Sequence, residues 1–249
     1  MFLCRFELIQ NNIYGYQNSS QKIQDINNDL ANFEAQMIKV EVFQFNDFAE
    51  NTYVLSDDTK ECVIIDPGCY SQAERDVLTT YISQNGLKPV KLLNTHCHID
   101  HIFGNEFVSS QYQLPIHLHK EELFTYNETK RWTVMFNMPD IIIPENLVYV
   151  NEGDKISFGN STLDVLFTPG HSIASISFYC KEEAFVISGD VLFMQSIGRT
   201  DLPGGNLETL LQSIRTKLFT LPENTKVYSG HGPSTSIAAE KANNPYLKN

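Results

Sequence analysis

Residues 95–101 read T-H-C-H-I-D-H, so three of the chain's seven histidines and an aspartate fall within one short segment. Neutral imidazole is the commonest metal ligand, and bound metals activate water for hydrolysis. In extended backbone alternate side chains share a face, so His96 and His98 point one way and Cys97 the other. Asp100 continues the histidine face. His101 joins it only if the chain turns, and a loop following a strand supplies that turn. A lone histidine is usually a surface or satisfied core residue, and Asp100 alone could cap a helix. Three imidazoles at this spacing argue instead for a metal.

Further polar residues stand just past strand-like text. His171 lies in TPGHS after LDVLF, Asp190 in SGDV after FVIS, and His231 in SGHGPS after KVYS. Each occupies a glycine-containing turn, and loops at one rim of a sheet bring distant segments together. His117 and His119 alternate on PIHLH with no carboxylate nearby and read as structural. Phe193 and Met194, after Asp190, either line a pocket or pack. Arg199, Thr200 and Asp201 in GRTDLPGG either position substrate, or bond to metal ligands, or form a loop held by an Arg–Asp contact.

Positioning these residues requires sheets with aligned ends. IKVEVFQF alternates like a half-buried strand, and NTYVLSD and ECVIID continue as antiparallel strands. Ser71 is an N-cap for a helix to about Gln84, ended by Gly86. PVKLLNT is a buried strand that delivers the chain into the histidine cluster. A helix over 102–111, a short strand at PIHLH and a longer helix from Lys120 are expected next. LDVLF, ASISFYC and EAFVIS return to strand. LETLLQSIRTKLF puts Leu207, Leu210, Leu211, Ile214 and Leu218 on one helical face. KVYSG is a last strand and 236–241 a last helix. Strands outnumber a simple β-α alternation, so an α/β fold of two packed mixed β-sheets with helices on the outer faces fits best. Residues 37–249 make this one domain. Residues 1–36, rich in Asn and Gln, read as a disordered extension or as text before the real start at Met37; a helix over 22–33 is the alternative.

Composition narrows the function. The net charge of −12 argues against nucleic acid and against anionic membranes. Five scattered cysteines without C-x-x-C read as reduced thiols in a cytoplasm. The N-terminus is no convincing signal peptide, and no apolar run reaches a membrane span.

The order T-H-C-H-I-D-H, P-G-H, S-G-D, G-H-G resembles the metallo-β-lactamase superfamily over nearly all of residues 38–249. SGDVLF, GRTDLPGG and GHGPST are similar to its glyoxalase II-like hydrolases, especially the short bacterial members. The resemblance implies an αββα sandwich with two divalent metal ions at one edge. One would take His96, His98 and His171, and the other Asp100, His101 and His231, with Asp190 bridging and Asp100 also in a catalytic role. Such donors suit zinc, and also iron or manganese. A hydroxide between the metals would then attack a small-molecule thioester, such as a hydroxyacyl-thiol conjugate, or a related ester.

Departures refine this expectation. Several true β-lactamases carry cysteine where Asp190 falls, and flavodiiron reductases carry glutamate where His98 stands. Nucleic-acid-processing relatives are longer. Glyoxalase II continues into a helical glutathione-binding domain, for which the short tail after His231 leaves no room, so glutathione recognition is open. Two rival readings remain. In a mononuclear iron persulfide dioxygenase, His96, His171 and Asp190 would form the metal triad. A structural metal module would close its site with four ligands rather than seven.

Overall fold

A computed structural model describes residues 38–135, 141–142 and 145–248. The expected extension at 1–36, with the alternative helix inside it, lies outside the described residues. The first sheet holds β1 (Lys39–Phe45), β2 (Glu50–Ser56), β3 (Glu61–Ile65), β4 (Lys88–Leu93), β5 (Ile116–Leu118) and β6 (Leu147–Tyr149), in that spatial order. Its first pairings are antiparallel, and those from β3 to β6 are parallel. The second sheet begins with β7 (Lys155–Phe158), β8 (Ser161–Phe167), β9 (Ile176–Cys180) and β10 (Phe185–Gly189). A small ribbon of β11 (Leu192–Phe193) and β12 (Ser196–Ile197) intervenes before β13 (Lys226–Ser229) and β14 (Thr235–Ser236) complete that sheet. The order is β14-β13-β10-β9-β8-β7, with β10 and β13 parallel. Both sheets are mixed, as expected.

Strand alternation sorts the apolar residues into three layers. Leu55, Val63, Ile65 and Leu93 face Leu163, Val165, Phe178 and Ile187 of the second sheet. Val54, Ile64 and Leu92 point the other way, against Leu78 and Ile82 of α1 (Gln72–Gln84). On the far side, Val186 and Val227 meet the helices of the second sheet. The αββα sandwich follows, because central strands covered on both faces must be apolar on both.

Ser71 caps α1 in a full capping box with Glu74. The helix expected over 102–111 is two helices, α2 (Ile99–Ile102) and α3 (Asn105–Tyr112). They part at Gly104, whose N–H donates to the Pro67 carbonyl at 2.7 Å. A Cβ there would lie 2.5 Å from Cys69 Sγ, so only glycine permits this approach. The helix from Lys120 opens as a 3-10 turn, Lys120–Glu122, before α4 (Leu123–Met135). In α5 (Leu207–Thr216), Leu210 and Ile214 are buried but Leu207 is 51% exposed. Asn206 caps that helix, so Leu207 opens the first turn away from the sheet. Leu218 is buried in a following 3-10 turn, and α6 (Ile237–Asn243) ends the chain's regular structure. Among the described residues no helix is long and apolar enough to cross a membrane.

Two parallel pairs position the site. β3 beside β4 and β10 beside β13 end at one rim. Asp66, the T-H-C-H-I-D-H segment, Asp190 and His231 therefore emerge together. The rim is stitched by Ile176 N–H to Thr95 carbonyl (2.9 Å), Gly230 N–H to Gly189 carbonyl (2.9 Å) and Asn51 N–H to Gly230 carbonyl (2.7 Å).

Candidate metal centre

His96, His98 and His171 each offer a ligand atom within 4.8 Å of the others, and so do Asp100, His101 and His231. Asp190 stands between the two groups. Its Oδ2 is 3.5 Å from Nε2 of His171 and 3.5 Å from Nε2 of His231, and its Oδ1 is 3.5 Å from Nε2 of His101. Asp100 Oδ2 lies 3.1 Å from His231 Nε2 and 3.6 Å from His101 Nε2. All seven residues converge, and all but His231 are buried.

The far side of each ring determines which nitrogen faces inward. His101 Nδ1 donates to Asp66 Oδ2 at 3.2 Å, His171 Nδ1 to the Arg199 carbonyl at 2.7 Å, and His231 Nδ1 to the Phe48 carbonyl at 3.1 Å. A proton held at Nδ1 leaves the Nε2 lone pair free for a cation. His96 Nδ1 meets the Thr95 hydroxyl at 3.0 Å. His98 differs, because its Nδ1 faces inward, 2.8 Å from His171 Nε2.

Nε2 of His96, Nε2 of His101 and Oδ1 of Asp190 are buried without a hydrogen-bond partner. A buried polar atom left unpaired costs about 1–3 kcal/mol. Three such atoms facing one space fit divalent cations, and nitrogen with carboxylate is the appropriate donor chemistry. Burial, reinforced by His101 and the other imidazoles, holds His96 far below the usual histidine range. Burial and His171 push His98 down to about 3. His101 moves oppositely: burial lowers it, but Asp100 and Asp190 outweigh burial and raise it well above the ordinary value. For Asp190, burial is likewise outweighed, here by His101, His171 and His231, and the carboxyl falls well below the ordinary range.

The Arg199 guanidinium is tied to Asp201 through Nε–Oδ1 (2.7 Å) and Nη2–Oδ2 (2.9 Å), while its carbonyl holds His171. Thr200 is half-buried on the same loop. Cys97 packs in the core, away from the donors, and burial pushes its thiol well up. His117 Nδ1 donates to the Leu92 carbonyl, and His119 caps the 3-10 turn before α4.

Sequence reasoning missed two supporting carboxylates. Asp66 accepts the Thr95 N–H at 2.7 Å on one oxygen, and the Thr95 hydroxyl and His101 on the other. It also falls within ligand distance of His96 and His101. With both oxygens already bonded, it acts as an orienting acceptor rather than a third donor group. Its signal was the D-P-G turn after ECVIID. Glu122 is fully buried; it accepts Cys97 N–H (3.0 Å) on one oxygen, and the Ser172 hydroxyl (2.6 Å) and Ala174 N–H (2.8 Å) on the other. It thereby ties the loop of His96 and His98 to the loop of His171, and nothing in K-E-E-L announces it. Gly230 is also required: a Cβ there would lie 2.1 Å from Asp190 Oδ1.

A pocket of about 600 Å³ opens onto His98, Asp100, His171, Asp190 and His231. Its other walls are Phe48, Ile99, Trp132, Phe193, Arg199 and Leu202. Met194 is half exposed.

Fold and donor set together define a metal-dependent hydrolase, and the chain belongs to the metallo-beta-lactamase superfamily, whose profile matches residues 46–231. The probable metallo-hydrolase YqgX of Bacillus subtilis is 42% identical over 203 residues, 78% of this chain and 90% of that one. Hydroxyacylglutathione hydrolase GloC of Haemophilus influenzae is 33% identical over 213 residues, 84% of this chain and 98% of that one. Among solved structures, BLEG-1 B3 metallo-beta-lactamase has a TM-score of 0.74 and 38% identity, covering 85% of this chain and 100% of its own. TTHA1623 in a di-iron-bound form has a TM-score of 0.74 and 33% identity, covering 84% and 100%.

Proposed function

We propose that residues 37–249 act as a dinuclear hydrolase of a small-molecule thioester or related ester. The observation that carries this is the Asp190 carboxylate, which turns one oxygen to His101 and the other to His171 and His231. His96, His98 and His171 would hold one cation, Asp100, His101 and His231 the other, with Asp190 shared. When bound, two divalent ions supply Lewis acidity and lower the pKa of water from 15.7 to about 7. Zinc suits the donors, and the di-iron form of one structural relative supports iron as a second choice.

The chain's own residues supply orientation. Asp66 and the carbonyls of Arg199 and Phe48 keep protons on Nδ1 of His101, His171 and His231. The apolar walls of Phe48, Ile99, Trp132, Phe193 and Leu202 would lie against the carbon skeleton of a bound substrate. A thiol of pKa about 8.5 departs as thiolate without a proton donor. Among the described wall residues no acid stands outside the donor set, which favours a thioester over an amide. The name of GloC supports the same class.

Metal analysis paired with assays of an acyl-glutathione thioester, a lactone, a β-lactam and a persulfide tests the proposal. We expect about two metal equivalents and thioester hydrolysis. Two metals with no thioester turnover reject the substrate class. One iron with oxygen uptake on the persulfide would replace the reading by the oxygenase with His96, His171 and Asp190 as its triad.

A further inference from the structure

We propose that the substrate carries an apolar, uncharged group directly beside its scissile carbonyl, a specificity that rests on the hydrolase reading above. The walls of the 600 Å³ pocket come from separate segments that share no local sequence reason to be apolar. Phe48 projects from the turn between β1 and β2, Trp132 from α4, Phe193 from β11 and Leu202 from the loop before α5. Phe48 is 52% exposed and shares this one wall with Ile99, Trp132, Phe193 and Leu202, a contiguous apolar surface of the kind that marks a ligand site. The Phe193 ring lies 6.3 Å from the His231 ring, so an apolar group held there adjoins the donor cluster.

Charge on the wall points the same way. Arg199 is the one cation among the described lining residues, and both oxygens of Asp201 already hold it. A peptide-like thiol such as glutathione presents two carboxylates and an ammonium, for which the described wall offers only this one Asp201-paired guanidinium. An aliphatic or aryl group asks only for the rings. Pockets of this size, apolar with a few convergent polar groups, bind ligands by excluding water from such groups.

Two substrate series separate the acyl side from the thiol side. The first is acetyl, butyryl and hexanoyl esters of N-acetylcysteamine; the second is acetyl esters of methyl, butyl and hexyl thiols. We expect kcat/KM to rise at least about tenfold along one series, the least discrimination that a single methylene held in an apolar pocket provides. Turnover that is flat in both series, or lactoyl-glutathione exceeding every member, overturns the inference and leaves the hydrolase reading standing.

A second readout needs no turnover. Trp132 is the chain's single tryptophan, so its fluorescence reports the pocket wall. Full-length protein as purified should show a saturable shift with hexanamide and none with lactamide. Equal responses, or none, overturn the inference. A saturable shift without thioester turnover keeps the apolar pocket and rejects the hydrolase. Leu202→Asp should lower the kcat/KM ratio of the longest to the shortest substrate by about tenfold at unchanged metal content; an unchanged ratio counts against the proposal.

Discussion

At one end of β2 and β3 the turn at Asp57 meets the turn between β7 and β8; at the other end Glu50 and Asp66 border the donor cluster. Both ends bury carboxylates, and they treat them differently. Asp57 accepts Thr59 N–H (3.0 Å), the Thr59 hydroxyl (2.5 Å), Asn160 N–H (2.7 Å) and the Ser161 hydroxyl (3.0 Å). At the rim, Asp190 Oδ1, Glu50 Oε1 and Nε2 of His96 and His101 are buried with no partner. Native proteins satisfy nearly all buried polar groups, so a concentration of open ones marks a place where stability yields to function. Asp57 staples two hairpins; Asp190 keeps one buried oxygen without a hydrogen-bond partner.

The sharpest test of that contrast is Asp190→Asn. It removes the charge that faces both donor groups, so metal content should fall from about two equivalents to below one. Hydrolysis should drop at least about 100-fold, the upper range for loss of a supporting metal contact. Retention of both metals, measured on purified protein, would erase the distinction between the ends. Asp66→Asn comes next. It loosens the His101 ring without removing a donor, and chelator competition should show metal affinity lower by about 10–100-fold. An unchanged affinity would make Asp66 a purely structural residue like Asp57.

Asp57→Ala has the smallest effect on the site. It should cost about 0.5–1.5 kcal/mol of stability by removing the bonds that join the two turns, whose donors water can then reach, while metal content and kcat stay put. Burial opposes ionisation of Asp57, but the Thr59, Asn160 and Ser161 bonds outweigh it and hold the carboxyl below its ordinary 3.8. A folded value below the unfolded one stabilises above pH 3.8, and that contribution disappears as pH falls through the folded value. The stability gap between wild type and Asp57→Ala, read from denaturation at stepped pH, should therefore close below pH 3.8. A gap that widens on acidification would reverse the assignment.

How much of this was legible beforehand varies by residue. His96, His98, Asp100 and His101 are neighbours in the chain, so their shared chemistry showed in their spacing. His171, Asp190 and His231 were marked by position, each in a glycine turn after strand text. Glu122 carried no mark, because its partners lie in two loops remote from it, at Cys97 and at Ser172 and Ala174. Gly104 hid a helix break for the same reason: the atoms that exclude a Cβ belong to Pro67 and Cys69. Leu207 fitted the helical stripe of α5 yet faces solvent, since periodicity does not say where a helix leaves its sheet.

Sequence alone determined the donor types, the strand and helix periods and the apolar faces, because these are properties of a few adjacent residues. Tertiary structure decided that Asp190 and His231 stand side by side, through the parallel pairing of β10 with β13. It also decided that the rings of His101, His171 and His231 turn Nε2 inward, through acceptors supplied by Asp66, Arg199 and Phe48. Such acceptors are backbone carbonyls or a remote carboxylate, and no local pattern specifies which ring they will meet.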